Sequence, residues 1–291
     1  MDEKKLKKLQ KKELKEQKKL LKAQEKKERK ELEDAYMHDR LVKKEIYKDI
    51  NAKRKEAYIE KMTPIWEERK RINEAPKLTL LEEIGNAISH GVGAILTIIA
   101  VVLLLQKSDT PLKIIASIVY CLAMFFMFFN SCLYHSWRWG STVKRIWRRF
   151  DYTSIYLMIA GTFAPLQLIE IPTEYGNPNG YIFGIIYFAC MWAVSITGIT
   201  LTCVFGPGRT KKINFPLYFV IGWSGLCVLP GWLIHKNYEL LLWILIGGIV
   251  YTLGMIPFAV LRGKKSAHFI WHLIVMAGVI IQFLGIYLCV Y

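Results

Sequence analysis

The chain has 291 residues and a formal net charge of +16, from 40 Lys and Arg against 24 Asp and Glu. The charge is concentrated: residues 1–77 hold 26 basic and 17 acidic residues, and the other 214 hold only 14 and 7. A soluble domain of that size carries about a quarter charged residues, so an ordinary soluble enzyme is excluded, and so is a dedicated nucleic-acid binder.

Residues 1–63 are a Lys/Glu tract in which Leu6, Leu9, Leu14, Leu20, Leu32 and Tyr36 recur without a sustained heptad. No Pro or Gly precedes Pro64, which predicts a solvated arm, partly helical or disordered, rather than a stable coiled coil. Its lysines suit anionic lipid headgroups, at ~1 kcal/mol each close to the surface. No nucleic acid is expected as a partner, because no aromatic residues interleave with the Lys run. His38 carries no signal. Pro64 and Pro76 punctuate the linker, which sets a charged arm over 1–77 apart from a membrane domain over 78–291.

Thr79 followed by Glu82 reads as a capping box that opens a helix. Seven apolar runs follow, at about 84–105, 112–135, 151–170, 181–204, 215–234, 239–261 and 267–290, each close to the ~20 residues that cross a hydrocarbon layer. The fold class is therefore all-α, a seven-transmembrane-helix bundle in a multi-pass protein of the cell membrane. The loops after the second, fourth and sixth crossings hold eleven Lys and Arg, among them Arg138, Lys144, Arg148, Arg209, Arg262, Lys264 and Lys265, against three in and beside the alternate loops. That bias predicts a cytoplasmic N-terminus and an outside C-terminus, opposite to G-protein-coupled receptors. The last crossing lacks the Lys that a microbial rhodopsin needs for retinal. Cys121, Cys132, Cys190, Cys203, Cys227 and Cys289 form no close pair and read as small buried hydrophobes. Trp137, Trp139, Trp147, Trp223, Trp232 and Trp243 read as interface anchors, and Gly247, Gly248, Gly254 and Pro257 as close packing and a kink.

Ionisable residues within a membrane are expensive, so each is a functional candidate. His90 in the first crossing, His135 at the end of the second, and His268 and His272 at the start of the seventh all fall at the cytoplasmic end of the bundle. Asp151 opens the third crossing there, and Ser131 lies one turn before His135. Glu83, Asn86 and His90 share a stripe of the first crossing. His268 and His272, at i and i+4, project from one face and suit a shared metal ion, with His135 completing three protein ligands. Three histidines and a fourth position left to water is the arrangement of catalytic zinc, which brings the pKa of that water to about 7. Asp151 suits a general base, and Ser131 suits orienting the water or donating to a developing oxyanion. Gln106, Gln167 and Gln282 stay unassigned.

Glu83 to His90, Ser131 to His135, Phe150-Asp151-Tyr152 and His268-Phe-Ile-Trp-His272 resemble, in order and in the matching helices, the motifs of the hemolysin III proteins. These belong with the progestin and adipoQ receptors, which include the adiponectin receptors. The resemblance covers 78–291 and says nothing of the arm. It implies a seven-helix bundle with its N-terminus inside and a zinc ion held near the cytoplasmic face by His135, His268 and His272, with Ser131 and Asp151 around the bound water. It also implies a likeness to membrane ceramidases, and haemolysis by bacterial members.

The leading functional expectation is a zinc-dependent hydrolase acting on lipid amides or esters, with membrane lipids as its partners. The alternatives are a non-catalytic receptor or sensor with structural zinc, and a pore-forming cytolysin. A pore needs a polar stripe across the whole bilayer, whereas the polar residues here stop near one end.

Overall fold

The computed structural model of the protein describes residues 3–35, 40–176, 178–260 and 266–291. His38, Tyr36, Arg262, Lys264 and Lys265 lie outside the described residues. The chain divides into two compact units between Arg69 and Lys70.

In the first unit, the helix Glu3–Ala35 and the helix beginning at Arg40 form an antiparallel hairpin. Its cross-links are the Tyr47 hydroxyl donating to Glu33 at 2.6 Å and Arg54 against Glu25 at 3.2 Å. Tyr47 holds the Glu33 carboxyl below its ordinary range. The helix runs on through Pro64 to Ile72, where a break is expected. Pro64 removes one backbone donor, but the turns around it are strong helix formers, and the Thr63 hydroxyl bonds the Ile59 carbonyl at 2.7 Å.

Among its described residues the second unit contains seven helices long and apolar enough to cross a membrane: Leu80–Gln106, Pro111–Ser136, Thr142–Tyr175, Asn179–Phe205, Pro207–Ile234, Tyr238–Met255 and Ala267–Cys289. No strand occurs among the described residues, and the all-α class is what the structure has. The capping box is present: Thr79 accepts from the Glu82 amide while the Glu82 carboxylate accepts from the Thr79 amide at 2.9 Å. The other Glu82 oxygen takes the Ser266 amide at 2.6 Å. One carboxylate thereby serves the N-termini of both the first and the seventh spans, where the helix dipole favours negative charge.

Two spans begin earlier than hydropathy predicts. The third starts at Thr142 rather than 151, capped by the Ser141 hydroxyl on the Lys144 amide. Its first turns are charged, but Lys144 and Arg148 point inward and are buried, so the helix extends beneath what reads as a basic loop. The fifth starts at Pro207 rather than 215, with Gly206 at φ +83° turning the chain into it. The third span also changes pitch. Pro172 has no N–H, and the helix widens into a π-turn at Leu166–Glu170 before resuming.

Packing follows small residues, as in other membrane bundles. A Cβ on Gly161 would lie 2.3 Å from Ala123 Cβ, so the second and third spans meet at backbone distance. Gly161→Ala is therefore expected to cost about 1–3 kcal/mol by overpacking, read as a lower unfolding temperature of the purified protein in micelles. The seventh span packs on both the sixth and the first and closes the ring.

A short strap precedes the first span. Arg148 donates to the Asn73 and Glu74 carbonyls at 2.8 and 3.1 Å, and Trp139 donates to Ala75 O at 2.9 Å. The Asn73 side chain accepts from the Gly208 amide at 3.0 Å. Residues 73–75 thus tie together the ends of the third and fifth spans.

Two readings of residue type need correction. Among the tryptophans, Trp232 is buried in the core and Trp223 faces inward, its indole N–H donating to Thr252 at 3.1 Å. Neither is an interface anchor, because each finds its polar or packing partner inside the bundle. Of the six free cysteines only Cys121 is buried; Cys190, Cys203 and Cys227 lie on the perimeter, where a thiol is apolar enough to face lipid.

Candidate metal centre

Closure of the seventh span against the first brings together side chains that are far apart in the chain. His268 Nε2 lies 3.2 Å from His135 Nε2, and His272 Nε2 lies 3.2 Å from His268 Nε2. One nitrogen from each of the three falls within 4.8 Å of the others. Metal–nitrogen bonds of about 2.0–2.1 Å in a tetrahedron put ligand atoms about 3.3–3.4 Å apart, so the two short separations are those of a tetrahedral edge. The group can hold a metal ion.

The surroundings orient these rings. His135 Nδ1 lies 2.7 Å from Glu83 Oε2. A carboxylate accepts only, so Nδ1 carries the proton and Nε2 turns a lone pair to the cluster. The other Glu83 oxygen is 2.8 Å from Lys144 Nζ, which also donates to the Tyr134 and Trp137 carbonyls at 3.1 and 3.0 Å. Lys144 therefore fastens the end of the second span and, through Glu83, the first. The Asn86 amide nitrogen lies 3.4 Å from His135 Nδ1. His90 stacks on His272, with centroids 3.7 Å apart and planes at 15°, which fixes the plane of that ring.

A cavity of about 150 Å³ opens from the histidines into the bundle. His90, Ser131, Asp151, His268 and His272 line it together. The Ser131 hydroxyl has the Asp151 carboxylate as its partner, and the side-chain oxygen of Asn86 is buried without a hydrogen bond. The donor chemistry fits a metal: three imidazoles converge, one with its tautomer set by a carboxylate, beside a buried carboxyl and hydroxyl pair, Asp151 and Ser131.

Each residue singled out from the sequence is in this region. Glu83 and Asn86 sit behind His135, His90 stands against His272, and Ser131 and Asp151 share the cavity. Sequence reasoning missed Lys144, counted as a loop charge. The available signal was its spacing, since Lys144, Arg148 and Asp151 at intervals of four and three lie on one helical face.

The bundle and its site define a multi-pass membrane protein with a buried three-histidine centre. Residues 78–283 match the family model described as Haemolysin-III related. Hemolysin-3 of Bacillus cereus is 33% identical over 210 residues, 69% of this chain and 89% of that protein. The human monocyte to macrophage differentiation factor is 24% identical over 220 residues, 74% of this chain and 87% of that protein. The adiponectin receptor protein of Drosophila melanogaster is 25% identical over 235 residues, 70% of this chain and 50% of that protein. The chain belongs to the haemolysin-III-related family, within the progestin and adipoQ receptor superfamily.

Proposed function

We propose that the protein is a zinc-dependent hydrolase that cleaves a lipid amide or ester at the cytoplasmic headgroup level. The observation that carries this reading is the cavity beside the three-histidine cluster, where two of the converging imidazoles, His268 and His272, face one apolar space together with the Asp151 carboxylate and the Ser131 hydroxyl. An all-nitrogen donor set without carboxylate ligands suits zinc. Zinc at this position supplies Lewis acidity, which polarises a carbonyl and acidifies water.

The protein's own groups do the rest. Asp151 accepts the proton of the attacking water and returns it to the departing amine or alkoxide, so that one water is consumed and a fatty acid released. Ser131 donates its hydroxyl to the carbonyl oxygen as negative charge develops there. The walls of the cavity, with Met158, Ile159 and Phe163, take the acyl chain and exclude water. The Lys-rich hairpin suits anionic lipid headgroups as its partners.

Asp151→Asn is expected to retain metal and lose fatty-acid release from ceramide-like amides or acyl esters by about 10²–10⁴-fold. A zinc-loaded wild type that cleaves none of these lipids overturns the hydrolase reading and leaves a receptor whose metal only ties the second span to the seventh. Unitary conductance from reconstituted protein would favour the cytolysin instead.

A further inference from the structure

The cavity that opens at the histidines does not end in hydrocarbon. Further along the seventh span Gln282 lines the same space, and Tyr251 of the sixth span faces it as well. Between the two ends the wall is apolar, with Ile159, Phe163 and Val275. Ten residues of helix separate His272 from Gln282, which is about 15 Å of axial rise.

Both polar side chains are seated in notches left by glycine. A Cβ on Gly247 would stand 2.4 Å from Gln282 Cγ and 3.2 Å from its Nε2, and one on Gly278 would stand 2.7 Å from the Tyr251 ring. The sixth and seventh spans, which pack closely, are therefore cut to hold these two groups. No hydrogen bond of the described residues involves the Gln282 amide or the Tyr251 hydroxyl, and both side chains are half-buried. The hydroxyl of Tyr120, buried near Tyr251, is also without a partner. Neighbouring Thr252 is already satisfied, accepting from Trp223 and donating to the Gly248 carbonyl. Half-buried donors and acceptors gathered at one end of an apolar cavity are open to a polar ligand atom.

We infer that Gln282 and Tyr251 form a second polar subsite, which receives a hydroxyl carried on the chain of an acyl ligand whose carbonyl lies at the histidines. The inference rests on the acyl-lipid reading above. Amide and phenol each donate and accept, and a hydroxyl is the small group that answers both. The spacing of about 15 Å selects a hydroxyl about ten to twelve carbons from the carbonyl. A chain ending in methyl leaves the amide and the phenol unpaired, so the cavity favours hydroxylated acyl groups over plain ones of the same length.

The test uses the metal-loaded full chain in micelles, titrated calorimetrically with dodecanoic acid and ω-hydroxydodecanoic acid. The hydroxy acid is expected to bind at least about tenfold more tightly. Gln282→Leu should bring the two affinities to within about twofold of each other, and Tyr251→Phe, which keeps the ring in its notch, should erase most of the preference. Equal affinities in the wild type, with dodecanoic acid still bound, overturn the subsite and leave the acyl reading intact, as does a preference that survives in both variants. Binding of neither acid overturns both.

Discussion

Purified His272→Ala is expected to contain little metal, while His90→Phe retains a stoichiometric amount. His272 contributes one of three converging nitrogens, with its Nε2 3.2 Å from that of His268. Loss of groups that merely support metal ligands costs 10–100-fold in affinity, so removal of a ligand itself should cost more than about 100-fold. His90 is no part of the cluster that can share one ion; it braces His272 by stacking, and a phenyl ring preserves that brace. Elemental analysis of the two variants beside wild type checks the assignment. Metal retained by His272→Ala, or lost by His90→Phe, would show that the cluster is composed differently. The comparison also separates the readings of function. If the metal only fastened the second span to the seventh, His272→Ala would lower the unfolding temperature by as much as metal chelation does, and Asp151→Asn would leave every function untouched.

Much of this centre is visible in the sequence because its ligands obey local rules. His268 and His272 are one helical turn apart, Ser131 and His135 likewise, and all lie at the same end of long apolar runs whose lengths match a bilayer. What stays hidden depends on tertiary closure. Lys144 and Arg148 look like ordinary cytoplasmic charges, because a lysine beside an apolar run has the same local sequence whether it meets solvent or a buried carboxylate. Only the first span, brought alongside, supplies Glu83 to Lys144, and only the strap at 73–75 supplies carbonyls to Arg148. The start of the third span at Thr142 is misjudged for the same reason, since hydropathy treats its inward charges as a reason to end the helix. The second role of Glu82, on the Ser266 amide 184 residues away, is of this kind too. So is the seating of Gln282 against Gly247: the sequence shows a lone polar residue and a small one, and their encounter exists only in the packed sixth and seventh spans.

The Glu83–Lys144 pair carries the largest expected effect on stability. Lys144 is almost wholly buried and Glu83 nearly so, with side-chain exposures of 1% and 13%. Removing one partner of a buried pair strands the other charge, at a cost of about 3–5 kcal/mol. Lys144→Met is therefore expected to destabilise the bundle by that amount, and Glu83→Gln by a similar one. Because the two residues touch, their effects should not add. The double variant, in which a neutral amide faces an apolar chain of similar length, should recover a large part of the loss, with a coupling of about 1–3 kcal/mol in the unfolding equilibrium. Metal affinity should respond differently. Glu83 accepts the His135 Nδ1 proton, and Lys144 does not touch the ring, so Glu83→Gln should weaken metal binding about 10–100-fold both alone and beside Lys144→Met. If the double variant regains stability but not metal affinity, Glu83 does two separable jobs, neutralising a buried cation and setting a ligand's tautomer. If affinity returns together with stability, the carboxylate acts on the centre only by holding the first and third spans together.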